Sequence, residues 1–354
     1  VYDALAGIEL RGRSSIEYAK KNYAVELRFP NAVENPQNLF GMGQESDWIF
    51  DGSWVDRSFM RNDLVFELFR DLGHYGAESH YCNLTLNGEE RGIYRLVERV
   101  KRDDDRVDLS LDDGTGQSFL IKQDDTGLLR FDVGAEDRWQ IVYPRQDDAT
   151  AAQVDAIQQW LDGLNDALQA PQAAGVFTFL DPASTTDYVL VQEFAKNIDA
   201  YNLSLHLARN MGGLAKFVPW DTDLAFGQPT LRNQMNEATS GWVNTRTLLI
   251  RSLAQNPDLK ARLGPRWREL RAGPLAEAAV FAKLDRYAAA LLPAAVERNF
   301  RIWPIADVDF SEIYPPYTLY GVTSHAEELT RLRSWISARL TWVDDHIDAY
   351  PSAM

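Results

Sequence analysis

Apolar and polar residues alternate in several short segments of the first 145 positions, which is the pattern of half-buried β-strands. Residues 7–11 and 23–29 alternate on either side of a polar stretch, so they predict a hairpin near the start. A second hairpin is predicted around Asn87-Gly88, because this dipeptide favours the tight turn between antiparallel strands. The remaining predicted strands of this part are residues 118–123 and 139–143.

A helical period replaces this alternation in one early segment and in most of the second half. Residues 58–72 carry apolar side chains at helical spacing, and Gly73 follows as a stop signal. A further hairpin is predicted in the second half, with strands at residues 203–208 and 214–218. The predicted helices around it are residues 151–169, 184–196, 276–300 and 325–350.

The distribution of these elements predicts an α+β protein. Residues 1–145 are expected to form a β-rich N-terminal lobe, and residues 146–354 a mainly helical C-terminal lobe that carries the second-half hairpin. Neither repeats nor a flexible linker separates the two parts in the sequence. They are therefore expected to form one domain.

The composition restricts the classes of partner that the chain can bind. Its 36 Lys and Arg against 52 Asp and Glu give a formal net charge of −16, which repels nucleic acid and anionic membrane surfaces. No apolar run approaches the ~20 residues of a membrane span. Cys82 is the sole cysteine, so an internal disulfide is excluded. A globular protein without a membrane span or nucleic-acid partner is expected.

Acidic and amide side chains gather at both ends of the second-half hairpin. Asp199 and Asn202 precede its first strand, and Asp221 and Asp223 follow its second strand directly. Because antiparallel strands begin and end side by side, these oxygens are expected to converge. Mg²⁺ is commonly held by one or two such carboxylates together with substrate phosphates. Taken alone, each residue is better explained by a turn, and it is their joint placement that predicts a site.

Protein kinases present the same order of parts: a helix, a loop with a catalytic Asp and a metal-binding Asn, a short hairpin, and a metal-binding Asp. By this order Asp199 is the predicted catalytic residue, and Asp221 and Asn202 are predicted metal ligands. Asp223 is either a further metal ligand or a turn residue. The spacing from Asp199 to Asn202 is shorter than in ordinary protein kinases, so the match is one of order only.

A phosphoryl-transfer site also needs cations that hold the nucleotide phosphates. Lys21 and Lys122 are the main candidates in the β-rich lobe. Arg61, in the first turn of the early helix, and Arg11, beside a glycine, can add positive charge. Glu98, at the end of a predicted strand, is a candidate to orient one of the lysines. Ordinary surface charge is the competing interpretation for each of them.

A set of ordered motifs resembles the CotH kinase family, whose founding members act on spore coat proteins. The resemblance covers nearly the whole chain, and the ordered set is more specific than any single motif. The motifs are LRGRSS (10–15), KKNY (20–23), DRSFMRN (56–62), LNGEERGIYRLVE (86–98), DAYN (199–202), PWDTD (219–223) and the closing helical segment 328–344.

The resemblance implies an atypical protein-kinase-like fold with two lobes, which binds ATP with Mg²⁺ or Mn²⁺ and phosphorylates Ser or Thr of a protein substrate. By position, Asp199 resembles the family's catalytic-loop aspartate and Asp221 its metal-binding aspartate, with Asn202 as a partner. Some members are described as surface adhesins or cell-wall modules, which favours a secreted or cell-surface location. The acidic charge further suggests basic or Ser-rich protein substrates.

Two other functions are open at this point. A non-catalytic surface, adhesion or binding module of the same family would need an exposed face, for which the aromatic-rich segments 314–320 and 226–242 are candidates. A metal-dependent phosphohydrolase could use Asp221, Asp223 and a histidine, but the five histidines lack the spacing of known metal motifs. The intact set of site residues favours the kinase.

Overall fold

The computed structural model describes residues 3–123, 129–130, 138–201, 203–229, 237–243, 247–305 and 321–351. The strands are β1 (Leu5–Arg11), β2 (Asn22–Arg28), β3 (Gln37–Asn38), β4 (Gln44–Glu45), β5 (Asp47–Asp51), β6 (Ser79–Leu86), β7 (Glu89–Glu98), β8 (Phe119–Gln123), β9 (Leu129–Arg130), β10 (Arg138–Tyr143), β11 (His206–Arg209) and β12 (Ala215–Val218). The helices are α1 (Arg61–Asp71), α2 (Ala151–Gln169), α3 (Pro182–Ala195), α4 (Leu248–Leu253), α5 (Pro257–Arg271), α6 (Glu277–Ala290), α7 (Pro293–Ile302) and α8 (His325–His346). Strands dominate the first part and helices the second, which confirms the α+β prediction.

The N-terminal sheet is antiparallel and has the strand order β1-β2-β5-β7-β6. The predicted hairpin near the start is confirmed, because β1 pairs with β2 along its whole length. The Asn87-Gly88 turn between β6 and β7 is confirmed as well. Asn87 and Gly88 have φ angles of 54° and 81°, and positive φ at both central residues is what a type I′ turn requires.

A second antiparallel sheet has the order β12-β11-β8-β10-β9. The predicted hairpin of the second half is its β11–β12 pair, in which His206 lies opposite Val218. On its other side β11 pairs with β8, so strands from before residue 145 and after residue 200 share one sheet. The division into lobes at residue 145 stays a prediction, and β8 ties the two parts of the chain together.

The helices of the second part follow most of the predicted bounds. Thr150 caps the start of α2, since its side chain accepts a hydrogen bond from the backbone N–H of Gln153, and Asp181 caps α3 by accepting from the backbone N–H of Ser184. The predicted helix 276–300 is instead two helices, α6 and α7, which Pro293 separates because it supplies no N–H to a continuing helix. The prediction missed α4 and α5.

Helix α1 lies between the two sheets and the C-terminal helices. On one side Phe66 packs with Ile49 and Val97 of the N-terminal sheet, and its ring stacks on Trp220 at 5.7 Å between centroids. On the other side Leu64 and neighbouring residues join the large core formed by α2, α3, α5 and α8. Trp220 directly precedes residues 221–225, which we call the acidic segment. The packing of Trp220 therefore fixes where this segment begins. Across the described residues, no helix is both long and apolar enough to cross a membrane.

Candidate functional site

The two ends of the β11–β12 hairpin meet, as the sequence pattern predicts. Ser204, just before β11, donates its hydroxyl hydrogen to Asp221 Oδ2 at 3.3 Å, and Asp221 lies three residues beyond β12. Asp221 has a φ of +57°, a left-handed conformation that residues other than glycine adopt rarely. Such positions cost free energy and are frequent at functional sites. The backbone therefore holds this carboxylate in a defined but unfavourable conformation.

The residues after Asp221 are fastened to α1. Asn62 Oδ1 accepts hydrogen bonds from the backbone N–H of Thr222 at 2.7 Å and from its hydroxyl at 3.0 Å. Arg61 Nε donates to the carbonyl of Ala225 at 2.9 Å. All three hydrogen bonds are buried, so they fix the backbone on either side of Asp223.

Negative charge is concentrated at this point. Burial raises the pKa of Asp223 well above its usual value, and the carboxylates of Asp221, Asp51, Asp56 and Asp199 raise it further in that order. The pKa of Asp221 is also raised, first by burial and then by Asp51, although Arg11 opposes the shift. Asp221 is nevertheless accessible to solvent. Crowded carboxylates open to solvent form a site with an excess of negative charge that a cation can relieve.

The donor set suits a hard divalent cation that is shared with a phosphorylated ligand. Within the described ranges, no three His, Cys, Asp or Glu side chains lie close enough together to enclose a metal ion. Mg²⁺ rarely uses an all-protein cage and is usually bound by one or two carboxylates plus phosphate oxygens and water. In such a site Asp221 and Asp223 would be the two protein carboxylates.

Asp199 lies on the loop that follows α3. Its backbone N–H donates to Asn197 Oδ1 at 3.2 Å, and its carbonyl accepts from the N–H of Leu203 at 3.3 Å, so the loop is internally bonded. The side chain is half-buried, and its charge acts on Asp223. Asn202, the predicted metal partner, lies outside the described residues.

The predicted phosphate-binding lysines have different surroundings. Lys21 Nζ donates to the carbonyl of Ile16 at 2.7 Å on the surface of the N-terminal sheet. Lys122 lies on β8 opposite His206 and is half-buried. The neighbouring Lys20 is the buried lysine, and its ammonium donates to Asn299 Oδ1 at 2.9 Å. Among the described residues, no contact joins Lys21 to the hairpin ends, and the phosphate-binding roles of Lys21 and Lys122 stay predictions.

Arg61 and Glu98 are both buried, but in separate places. Arg61 forms ion pairs with Asp56 at 2.5 Å and with Glu328 of α8 at 2.7 Å, so protein groups already occupy its guanidinium. Glu98 accepts from the backbone N–H of Glu78 at 2.9 Å and from the hydroxyl of Tyr75 at 3.3 Å. In the described part of the chain no lysine contacts Glu98, which lines a cavity of about 400 Å³ away from the hairpin ends.

Sequence reasoning missed an ion-pair network beside the site. Arg95 of β7 pairs with Asp63 of α1 at 2.6 Å and with Asp51 at the end of β5. Asp51 in turn acts electrostatically on Asp221 and Asp223. The available signal was Arg95 itself, because it occupies the same face of β7 as the buried Ile93 and Val97. A charged residue at such a position requires a buried partner.

The aromatic residues proposed for a binding face are packed where they are described. Phe226 is fully buried against Phe194 and Trp335. Trp242 packs edge-on against Trp342 and Tyr350. Segment 314–320 lies outside the described residues. His206 of the hairpin, one of the five histidines considered for a phosphohydrolase, is a buried residue whose Nδ1 lies 2.9 Å from the carbonyl oxygen of Ser204.

Comparison with known proteins identifies the family of this chain. The family described as CotH kinase protein matches residues 8–343, a range that begins within β1, includes the β11–β12 hairpin and ends within α8. The inner spore coat protein H of Bacillus subtilis (strain 168) is 21% identical over 230 residues, which make up 62% of this chain and 59% of that protein. The matched part thus spans less than two thirds of that relative. Because the family match covers most of the chain, this protein belongs to the CotH kinase protein family.

Proposed function

We propose that this protein is an atypical protein kinase that transfers the terminal phosphoryl group of ATP to a Ser or Thr hydroxyl of a protein, with Mg²⁺ or Mn²⁺. The observation that carries the proposal is the concentration of Asp199, Asp221 and Asp223 around one hairpin end, with a charge excess that a divalent cation relieves. Membership of the family supports it. The order of the loop, hairpin and acidic segment also corresponds to that of protein kinases.

Asp221 and Asp223 would hold the metal ion. When bound, the ion neutralises charge on the transferred phosphoryl group and aligns it for displacement. The left-handed backbone of Asp221 and the bonds of Thr222 to Asn62 keep the two carboxylates in place before any ligand arrives. Such preorganisation lowers the barrier because the groups need not be reoriented during the reaction.

Asp199 would orient the acceptor hydroxyl and accept its proton as the oxygen attacks the terminal phosphorus. One P–O bond then forms to the acceptor while the bond to the ADP oxygen breaks. Positioned carboxylates of this kind contribute about 10²- to 10⁴-fold to a rate. The internal hydrogen bonds of the loop at Asn197 and Leu203 would hold Asp199 against the metal-binding pair.

The acceptor class follows from the charge of the chain. A protein with a net charge of −16 attracts basic segments over distances of roughly a Debye length, about 8 Å at physiological salt. We therefore expect Ser or Thr residues that are flanked by Lys and Arg to be the preferred acceptors. A set of peptides that differ only in flanking charge would test this preference, and equal rates for acidic and basic peptides would contradict it.

The first experiment is calorimetric titration with ATP in the presence and absence of Mg²⁺ or Mn²⁺. Wild type should bind ATP only with the metal, and Asp221→Asn should lose that metal-dependent binding while remaining folded. Asp148→Asn, which removes one carboxylate in an exposed ion pair, is the matched control and should bind like wild type. Absence of ATP binding by wild type with either metal would refute the proposal and favour a non-catalytic surface or adhesion module.

A further inference from the structure

Arg11 is placed where β1 approaches the acidic segment. It is the last residue of this edge strand, and its guanidinium lies 5.7 Å from the ring centre of Trp220, the residue before Asp221. The next residue, Gly12, has a φ of +112°, and a Cβ there would come within 1.9 Å of Ser15 Oγ. The chain therefore turns back sharply after Arg11, which leaves the side chain at the mouth of the site.

Among the described residues, the guanidinium of Arg11 has charged neighbours but no direct hydrogen-bond partner. The carboxylates of Asp221 and Asp51 attract it, and Arg99 repels it. Over the described ranges, no hydrogen bond or direct ion pair of this guanidinium is present, although the residue is only half-exposed. An arginine has five N–H donors in a planar fork that matches a phosphate group. Here these donors are held beside the site without being used.

Five other cations of the N-terminal part differ in this respect. Lys20 donates to Asn299, Arg61 is paired with Asp56 and Glu328, and Arg95 is paired with Asp51 and Asp63. Arg99 lies 3.6 Å from an oxygen of Asp47 and is largely exposed. Lys21 donates to the carbonyl of Ile16. Arg11 is thus the cation whose charge acts on Asp221 while its donors remain available.

We propose that Arg11 is an exchangeable counter-ion: it balances Asp221 and Asp51 in the free protein and binds the nucleotide phosphates once a divalent cation occupies Asp221. The proposal rests on the proposed function and adds to it the residue that holds the phosphates. A cation that arrives at Asp221 repels Arg11, and the phosphates that accompany the metal attract it. Since neither contact of Arg11 in the free protein is a direct hydrogen bond, the exchange breaks no such bond.

If Arg11 exchanges the carboxylates for phosphates, removal of its charge should change the affinity for Mn²⁺ alone and the affinity for ATP with Mn²⁺ in opposite directions. Arg11→Met should bind Mn²⁺ alone more tightly, by about 3- to 10-fold, because one competing positive charge has left the carboxylates. The same variant should bind ATP with Mn²⁺ about 10- to 100-fold more weakly, because charge-assisted hydrogen bonds to phosphate are lost. Arg11→Lys should bind Mn²⁺ alone as wild type does and should recover only part of the ATP affinity, since an ammonium lacks the fork.

The test measures Mn²⁺ binding by paramagnetic resonance and nucleotide binding by calorimetry, on wild type, Arg11→Met, Arg11→Lys and Arg13→Met. Arg13→Met removes the same charge two residues away and is expected to leave both affinities within about twofold of wild type. ATP, ADP and AMP are compared, because the loss in Arg11→Met should shrink as phosphates are removed. A thermal unfolding curve for each variant verifies that the variants are folded.

Opposite changes in Mn²⁺ and ATP affinity would support the proposal. Weaker binding of both ligands by Arg11→Met would overturn it, since that result indicates a merely structural role. Unchanged affinities in Arg11→Met, with tight ATP binding by wild type, would overturn it too but would leave the kinase proposal intact. Failure of wild type itself to bind ATP with Mn²⁺ would overturn both, so the two failures are distinguishable.

Discussion

Replacement of Arg61 by methionine should destabilise the protein strongly without removing a ligand contact. The guanidinium is fully buried and joins three separate parts of the chain. It pairs with Asp56 before α1 and with Glu328 of α8, and it donates to the carbonyl of Ala225 in the acidic segment. Methionine fills much of the same volume but leaves these acceptors without their donor.

The expected loss of stability depends on which partners Asp56 and Glu328 retain when Arg61 is replaced. Removing one partner of a buried ion pair typically costs about 3–5 kcal/mol, because the other charge remains buried. Glu328 retains Arg331, whose Nε lies 2.8 Å away, and Asp56 retains the backbone N–H and hydroxyl of Ser58. We therefore expect a decrease in the free energy of unfolding near the lower end, about 3 kcal/mol. Adding Glu328→Gln to Arg61→Met should recover part of it.

Urea unfolding followed by tryptophan fluorescence measures this change. The control is Arg301→Met, which breaks an exposed ion pair with Glu297 at 2.8 Å and should cost less than about 1 kcal/mol. ATP affinity is measured in parallel on the folded protein. An unfolding midpoint for Arg61→Met like that of the control, together with lost ATP binding, would refute a structural role and favour phosphate binding by Arg61.

Three further outcomes are expected. In the presence of Mg²⁺, the affinity of Asp199→Asn for ATP should stay within about threefold of that of wild type, while phosphate incorporation into a basic peptide falls at least about 100-fold. Loss of nucleotide binding by this variant would contradict the catalytic assignment of Asp199. Wild type should unfold at a higher temperature with Mn²⁺ than in EDTA, because a metal bound only to the folded state stabilises it, whereas Asp221→Asn should gain no stability from Mn²⁺. Burial raises the pKa of Glu98 to about 7, so the folded protein holds a proton that the unfolded chain releases, and its stability should fall between about pH 4.5 and pH 7. In Glu98→Gln the free energy of unfolding should decrease less across that pH range than in wild type, by at most about 3 kcal/mol, as measured by urea unfolding.

Elements with strong local signals could be predicted from the sequence. The Asn87-Gly88 turn is fixed by the few residues that surround it, and it is present in the structure. The acidic residues on either side of the β11–β12 hairpin are similarly close in sequence. Their approach follows from antiparallel pairing alone, since the ends of neighbouring strands have to meet.

Side-chain environment was harder to predict than element position. Lys20 and Lys21 are adjacent and chemically identical, yet Lys20 is buried between Asn299 and aromatic rings while Lys21 lies near the surface. Lys20 points inward because its ammonium donates to the carbonyl of Ile93 on β7 and to Asn299, which lies 279 residues later. Asn299 lies on α7, and a local sequence window contains no information about that contact.

The charge balance of the site is a tertiary property for the same reason. Asp51, Asp56 and Arg11 come from the first 60 residues, whereas Asp199, Asp221 and Asp223 come from residues 199–223. Their joint effect is visible only once both segments face each other, when the pKa values of Asp221 and Asp223 rise. Listing separate candidate cations therefore could not identify the one that faces the carboxylates.

A cluster of like charges destabilises a fold unless something compensates for it. Here Asn62 and Arg61 bind the backbone on either side of Asp223. The ion pairs of Arg95 with Asp51 and Asp63 join the N-terminal sheet to α1. These buried contacts hold the carboxylates together against their mutual repulsion. The repulsion that remains between the carboxylates favours binding of a cation, since a bound divalent ion would remove this repulsion. On the proposed function, the same charge excess that lowers the stability of the free protein would favour binding of a metal-bound nucleotide at this site.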